Sequence, residues 1–451
     1  MPALPGRIVV AGTHSGVGKT TVATGLMAAL RRAGHRVGAA KVGPDFIDPG
    51  YHAMAVGRPS RNLDPWMSGV ELIGPLAARA GRGTDLLVIE GVMGLFDGAA
   101  DGSPSSTADV AALLDAPVLL VVDASAMSQS VAALVQGFTQ HDPRLTVAGV
   151  VLNRVGSPGH EQLLREALAG AGVAVLGAIP RDDRLTWRDR HLGLVPVAER
   201  PRQVEAALGR LATLLAERCD LAAVAALAAA APALAAADVP MPEPAASGVR
   251  LAVAGGPAFS FTYPDNLEAL AAAGAELVPF DPCSDAAVPE HCHGLVAGGG
   301  FPEVFAEQLA ANEPLLADVC RQVGAGLTTW AECGGLLWLC DELDGRPMAG
   351  VIAAQGRMTE LLSLGYREAV TTTPTPLGPA GTYLRGHEFH YSVTDPAGDL
   401  FALTGRHGTG RGGFGSPSCV ASYLHVHLAG RTQMAADLVR SCSALRLPYT
   451  G

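Results

Sequence analysis

Short apolar runs alternate with longer amphipathic stretches through the first half of the chain. Ile8-Val9-Val10-Ala11 reads as a buried parallel strand, and Val22 to Leu30 as the helix after it. Val37-Gly38-Ala39-Ala40-Lys41 reads as a second strand, and Asp85-Leu86-Leu87-Val88-Ile89-Glu90 as a third that ends in an acid. Ala116 to Val122, Val147 to Leu152 and Val173 to Ile179 continue the series, with a helix expected over Ser128 to Gln140. This βα alternation predicts an α/β fold with a mainly parallel sheet covered on both faces. A second α/β unit begins at Val249. Strands are expected at Val249–Ala254, Glu276–Phe280 and His293–Ala297, and a helix at Tyr263–Ala273. Between the units, Leu221 to Val239 is mostly Ala, is broken by Pro232 and carries Asp238. Ala is too weakly apolar for a membrane span. The stretch reads as a helix end running into Pro240-Met241-Pro242-Glu243-Pro244. The expected organisation is residues 1–220, a linker over 221–248, and residues 249–451.

Composition narrows the picture. Apolar residues make up 49% of 451 residues, enough for large cores, while aromatics are only 5%, so packing must rely on close contact of small side chains. The net charge of −11, with no basic block, argues against nucleic acid or an anionic membrane surface as partner. The eight cysteines show no C-x-x-C pair, and no secretory signal is visible, so a reducing cytoplasm is expected.

The first strand runs into Gly12-Thr13-His14-Ser15-Gly16-Val17-Gly18-Lys19-Thr20-Thr21. Strand, Gly-rich loop, Lys-Thr and helix form the context of a phosphate-binding loop. Gly16 and Gly18 let backbone N–H groups turn inward toward phosphate, and the helix N-terminus adds its dipole. Lys19 would reach the terminal phosphates and Thr20 would ligate Mg²⁺, with Thr21 beside it. The loop departs from the usual spacing, since Thr13 stands where the first Gly is expected. Val42-Gly43-Pro44-Asp45-Phe46-Ile47-Asp48 follows the second strand, at the sheet edge where open α/β sheets bind ligands. Asp45 is a candidate Mg²⁺ ligand, and Asp48 either a ligand or a substrate-positioning acid. Glu90 is the expected strand-end Mg²⁺ anchor, and Asp97 lies in a Gly-flanked loop where it could orient substrate or metal. Asn153, at the end of a strand, is a nucleobase candidate.

In the second half, Thr328-Thr329-Trp330-Ala331-Glu332-Cys333-Gly334-Gly335 brings a strand to a helix at a cysteine flanked by small residues. That is a nucleophile elbow carrying Cys in place of Ser. Cys320 and Cys340 read as structural. Gly298-Gly299-Gly300 precedes another helix start and can present N–H groups as an oxyanion hole. A Cys nucleophile needs a base, and His425 and His427 lie two apart on an extended segment, either able to serve. Gly386-His387-Glu388-Phe389-His390-Tyr391 and His291-Cys292-His293 lack the spacing of a zinc motif. Mg²⁺ with ATP is the expected metal.

Taken together, these strings resemble the cobyrinate or hydrogenobyrinate a,c-diamide synthase family, glutamine-dependent amidotransferases of cobalamin biosynthesis. The resemblance covers almost the whole chain. It rests on Gly12 to Thr21, Lys41 to His52, Glu90 to Gly98, Arg190-His191-Leu192-Gly193-Leu194, Ala331 to Gly335, Leu364 to Ala369, Gly386 to Ser392 and the His425/His427 segment. The N-terminal half is similar to dethiobiotin synthetase, which shares the lengthened loop, and the C-terminal half to class I glutamine amidotransferases. The resemblance implies glutamine hydrolysis at Cys333 through a glutamyl thioester, with the oxyanion held near Gly299 or Gly300 and at Gly334. It implies that ammonia passes to the N-terminal domain, where ATP·Mg²⁺ phosphorylates a corrin carboxylate and ammonia displaces phosphate, at the a and c positions in turn. Lys19 and Thr20 would bind ATP and Mg²⁺, Asp45 and Glu90 would be further Mg²⁺ ligands, and Asp48 and Asp97 would place or activate the carboxylate. The wider glutaminase class ends its triad with His-Pro-Glu, whereas this chain has His425-Val426-His427. His425 aligns with the base, and the acid position carries a histidine, leaving open what holds the imidazole. Two other readings stay open on sequence alone: a nickel-sirohydrochlorin a,c-diamide synthase, and a P-loop ATPase switch with an inactive C-terminal domain. The partners expected are small molecules, and a homodimer is left open.

Overall fold

The computed structural model describes residues 3–182, 189–190, 193–406 and 408–444. Two units meet at Val239/Pro240. In the first, seven parallel strands form one sheet, in the spatial order Arg61–Leu63, Val37–Val42, Leu86–Glu90, Gly6–Gly12, Val118–Asp123, Val147–Val155 and Val175–Pro180. The central strands are buried along almost their whole length, as their unbroken Val/Ile/Leu runs require of a sheet covered on both faces. Helix Lys19–Arg32 packs against helix Pro201–Arg218 at close range. A Cβ on Gly25 would come within 2.7 Å of Leu215, so the small residue sets the approach.

The stretch expected as linker is in part built structure. Leu221–Ala229 is a helix capped by Asp220, whose side chain accepts the Ala223 N–H. It lies against the first strand, where a Cβ on Gly6 would meet Ala228 O at 2.9 Å. Buried Arg7 donates to Leu114 O and to Pro232 O, tying the segment after that helix to the same unit. The Ala-rich composition that looked like a tether is what permits this close packing.

The second unit holds two sheets. One runs Ala275–Phe280, Val249–Ala254, Gly294–Ala297, Thr328–Glu332, Cys419–Ser422 and Phe414–Ser416, parallel except for the last pair. The other is built on the long antiparallel pair Ile352–Thr371 and Tyr383–Asp395, flanked by Cys340–Leu343 on one side and His425–Val426 on the other. Among the described residues, no helix is long and apolar enough to cross a membrane.

Candidate active sites

In the first unit the loop after Gly6–Gly12 folds as its glycines allow. Gly16 and Gly18 take left-handed φ values of 79° and 95°, which cost a glycine little. A side chain on Gly12 would lie 2.5 Å from Val17 Cγ1. Lys19, the first helical residue, is buried and donates to His14 O at 3.3 Å. Burial, and then the nearby charge of Lys41, lower its pKa to about 8 against the pull of Glu90, Asp48 and Asp97. Thr20 Oγ1 donates to Glu90 Oε1 at 2.6 Å and approaches Asp48 Oδ2 at 3.2 Å.

Glu90 and Lys41 are register partners on adjacent parallel strands, so their side chains leave the sheet together. Lys41 Nζ sits 2.8 Å from Glu90 Oε1 and 2.5 Å from Asp48 Oδ2, and His52 Nε2 lies 2.6 Å from Glu90 Oε2. Burial opposes the Lys41 charge, but Asp48 and Glu90 outweigh it and raise its pKa. Burial likewise opposes the Glu90 carboxylate, and Lys41 and His52 overcome it, holding Glu90 well below the usual range. Asp48 goes the other way: burial and the neighbouring Asp45 charge push it well above the ordinary carboxylate value despite Lys41.

The structure therefore joins Thr20, Asp48 and Glu90, with Lys41 among them. Asp45 stands at the turn after the second strand. Its Oδ1 accepts the Ile47 and Asp48 N–H groups and so fixes the turn into helix Asp48–Val56. The donor set still fits a hard divalent cation. Hydroxyl and carboxylate oxygens gather beside the phosphate loop, and the Asp45–Asp48 repulsion is the kind a cation relieves. Among the described residues, no three carboxylate, His or Cys side chains already form a metal cage.

Asp97 Oδ2 accepts the Gly94 N–H, and its loop is tied to the phosphate loop through Leu95 N–H to Gly12 O. Asn153 lies against the phosphate loop. Its Nδ2 donates to Val17 O at 2.8 Å, and its Oδ1 accepts the Arg154 N–H, so the amide buttresses the phosphate loop. Arg154 joins it, donating to Gly16 O and pairing with Asp123. Lys41, His52 and Arg154, not singled out as site residues by the sequence, contact those that were: Lys41 and His52 pair with Glu90, and Arg154 donates to Gly16 O. Of the motif Arg190 to Leu194, His191 and Leu192 lie outside the described residues.

In the second unit the elbow forms as expected. Cys333 ends strand Thr328–Glu332 at φ 49° and starts helix Gly334–Leu339. Positive φ is uncommon outside glycine and is a mark of functional sites. The Cys333 N–H donates to Ser422 O at 2.7 Å, which pins the turn. Small neighbours are compulsory here, since a Cβ on Gly335 would lie 2.2 Å from Ala297 O.

His425 is buried beside Cys333 and Glu332. Burial opposes its charge, but hydrogen bonding and charge from Cys333 and Glu332 outweigh it and raise the imidazole to about 10. Glu332 Oε2 stands 3.5 Å from His425 Nδ1. His427 does not share this arrangement. Its Nε2 is 3.9 Å from Asp265 Oδ2, and its ring lies 4.8 Å from that of Tyr263. The two histidines are thus separated by function of place: His425 belongs to the elbow and His427 to a different carboxylate.

The oxyanion candidates also divide. The Gly299 N–H is spent on Phe261 O at 3.0 Å, so Gly299 does not supply a donor as expected. Its value is room, because a Cβ there would lie 2.5 Å from His425 Cε1. Gly300 and Gly334 do come together, with a Cβ on Gly334 reaching 3.0 Å from Gly300 N. Strand Tyr383–Asp395 sets His387 opposite His425. Burial, then the charge of His425, hold His387 down to about 3, and burial holds His390 down to about 4. Both are therefore neutral next to the charged His425. His390 stacks on Tyr423 at 3.7 Å, and Glu388 is paired with Arg367 at 2.9 Å.

A phosphate loop over a cation–carboxylate cluster, and a cysteine elbow with its buried histidine, define the class: a nucleotide-binding domain joined in one chain to a glutamine amidotransferase domain. Family models agree. Residues 8–195 match the CobQ/CobB/MinD/ParA nucleotide binding domain, and residues 250–433 the CobB/CobQ-like glutamine amidotransferase domain. Among curated relatives, the hydrogenobyrinate a,c-diamide synthase of Streptomyces coelicolor is 48% identical, with 97% of each chain covered. That of Mycobacterium tuberculosis is 48% identical, covering 96% of this chain and 97% of the relative. The cobyrinate a,c-diamide synthase of Priestia megaterium is 40% identical over 98% of both. The chain belongs to the cobyrinate/hydrogenobyrinate a,c-diamide synthase family.

Proposed function

We propose that the protein amidates the a- and c-side-chain carboxylates of hydrogenobyrinate or cobyrinate, using glutamine as nitrogen donor and ATP as activator. The observation that carries the reading is the Cys333 elbow with the buried His425 and Glu332 at its end, in one chain with the phosphate loop. Cys333 Sγ attacks the glutamine amide carbon, and the oxyanion is held by the N–H groups of Gly300 and Gly334. The His425 proton goes to the leaving nitrogen, ammonia departs, and water then hydrolyses the thioester to glutamate. In the first unit a corrin carboxylate oxygen attacks the γ-phosphorus of ATP and ADP leaves. Ammonia then adds to the acyl carbon and phosphate leaves.

Backbone groups of Gly16 and Gly18, with Lys19 and Thr21, would hold the phosphates. Thr20, Asp48 and Glu90 would hold Mg²⁺, with Asp45 reaching it through water. That ion supplies charge neutralisation on the phosphates when bound. Lys41 keeps Glu90 ionised and holds Asp48 in place. Asp97 would face the acceptor. The acceptor favoured is the metal-free one, since the relatives named for hydrogenobyrinate are 47–48% identical and those named for cobyrinate 39–41%. Incubation with hydrogenobyrinate, cobyrinate and nickel-sirohydrochlorin in parallel, read by mass spectrometry, tests this. Hydrogenobyrinate should be converted with the highest kcat/KM, and conversion of nickel-sirohydrochlorin alone would overturn it. The setting proposed is the cytoplasm, and sedimentation of the purified chain reports whether it pairs with itself.

A further inference from the structure

The buried His425 has a carboxylate neighbour, but not at the position where a thiol glutaminase usually carries its acid. We propose that Glu332, the residue immediately before the nucleophile, is the positioning carboxylate of the Cys333–His425 unit. The inference rests on the glutaminase reading above and adds the group that holds its base.

The geometry is set by the backbone. Glu332 is the last residue of strand Thr328–Glu332, and Cys333 turns away from it at positive φ. Two consecutive side chains are thereby sent to the same imidazole: Cys333 helps to raise its pKa, and Glu332 Oε2 lies 3.5 Å from Nδ1. The other oxygen of Glu332 accepts the Val426 N–H at 3.0 Å, so the carboxylate is fastened to the residue next to the one it orients. Asn266 clamps the same segment from the far side, donating to Val426 O at 2.7 Å and accepting the Leu428 N–H at 2.7 Å. The backbone that carries His425 is thereby fixed between Glu332 and Asn266.

The other buried carboxylates around the site are committed elsewhere. Asp265 faces His427, whose residue type rules it out as the acid of the triad. Glu388 is paired with Arg367. Glu332 is only 5% exposed, and a buried carboxylate is costly unless a charge and hydrogen bonds compensate it. His425 and the Val426 N–H are that compensation. The arrangement has the logic of a nucleophile–base–carboxylate triad in which the third member comes from the nucleophile's own strand.

Glu332→Gln tests it, because the amide keeps an acceptor for Val426 N–H and removes only the charge. Expected is a fall of about a hundred- to ten-thousand-fold in kcat for glutamine hydrolysis, with KM for glutamine within about threefold of wild type. The alkaline limb of the pH profile, set by loss of the His425 proton, should move to lower pH. Amidation driven by added ammonium should be unaffected. A folded Glu332→Gln protein with kcat within about threefold of wild type and an unmoved limb overturns the inference. If Glu332→Gln melts, Glu332→Asp decides: an intermediate kcat with a displaced alkaline limb supports the role, and a wild-type limb overturns it. Wild type and Cys333→Ala are run alongside. If wild type releases no glutamate, or Cys333→Ala still does, the glutaminase reading falls and the inference with it. If those controls behave and only Glu332→Gln is silent, the inference alone falls.

Discussion

Replacing Lys41 by Met probes the cluster beneath the phosphate loop. The side chain is 4% exposed and bridges Asp48 at 2.5 Å and Glu90 at 2.8 Å, while Met keeps its length and removes its charge. Two buried carboxylates lose their cation. Breaking a buried pair by removing one partner costs about 3–5 kcal/mol. For a unit of this size that converts to a fall of roughly 6–20 °C in the melting temperature of the first unit. The pH dependence follows from the directions of the shifts. Lys41 is raised, so its contribution is present below the unfolded lysine value of about 10.4 and is lost as pH rises beyond it. Glu90 is depressed, so its contribution is present above the unfolded value of about 4.3 and is lost as pH falls. Neutral pH lies inside both windows, and the penalty of Lys41→Met should be largest there and shrink as pH falls below ~4 and Glu90 protonates. Calorimetry of the full chain across that range, wild type against variant, is the assay. A variant that melts within about 1 kcal/mol of wild type at neutral pH, or a difference that does not change with pH, would refute the reasoning.

Two further outcomes are expected. Lys19 titrates near 8 in the free protein, and triphosphate would raise it, so ATP binding should take up protons at pH 8 and not at pH 6.5. Titration calorimetry in buffers of different ionisation enthalpy measures this, and equal heats in all buffers at pH 8 would contradict it. Gly299→Ala places a Cβ 2.5 Å from His425 Cε1, so it should abolish glutamine hydrolysis while amidation from ammonium continues. Glutamate release at the wild-type rate would count against His425 as the base.

The legible parts of the molecule were those written in consecutive residues. The phosphate loop is a strand, a glycine turn and a Lys-Thr at a helix start, and the elbow is a strand, a Cys and two glycines. What the sequence hid depends on register and on spare hydrogen-bonding capacity. Lys41 gains its role from sitting opposite Glu90 on the next strand. Asp45 and Asp48 look alike in the string, yet one caps a turn and the other reaches Thr20. Gly299 looks like a donor until its N–H is seen on Phe261. His425 and His427 look equivalent at spacing two, and their partners Glu332 and Asp265 separate them. The antiparallel pair Ile352–Thr371 and Tyr383–Asp395 left no clear period-two signal, because much of Ile352–Thr371 is half-exposed on both faces and its register is broken between Met358 and Ser363.

The central claim is that one chain makes ammonia at Cys333 and spends it on an ATP-activated corrin carboxylate. Its most direct test supplies hydrogenobyrinate, ATP, Mg²⁺ and glutamine labelled at the amide nitrogen to wild type and to Cys333→Ala. The account predicts two labelled amides on the corrin ring with wild type, none with Cys333→Ala, and restored amidation of that variant when ammonium is added. Labelled product from Cys333→Ala, or no amidation by a folded Cys333→Ala protein given ammonium, would contradict it.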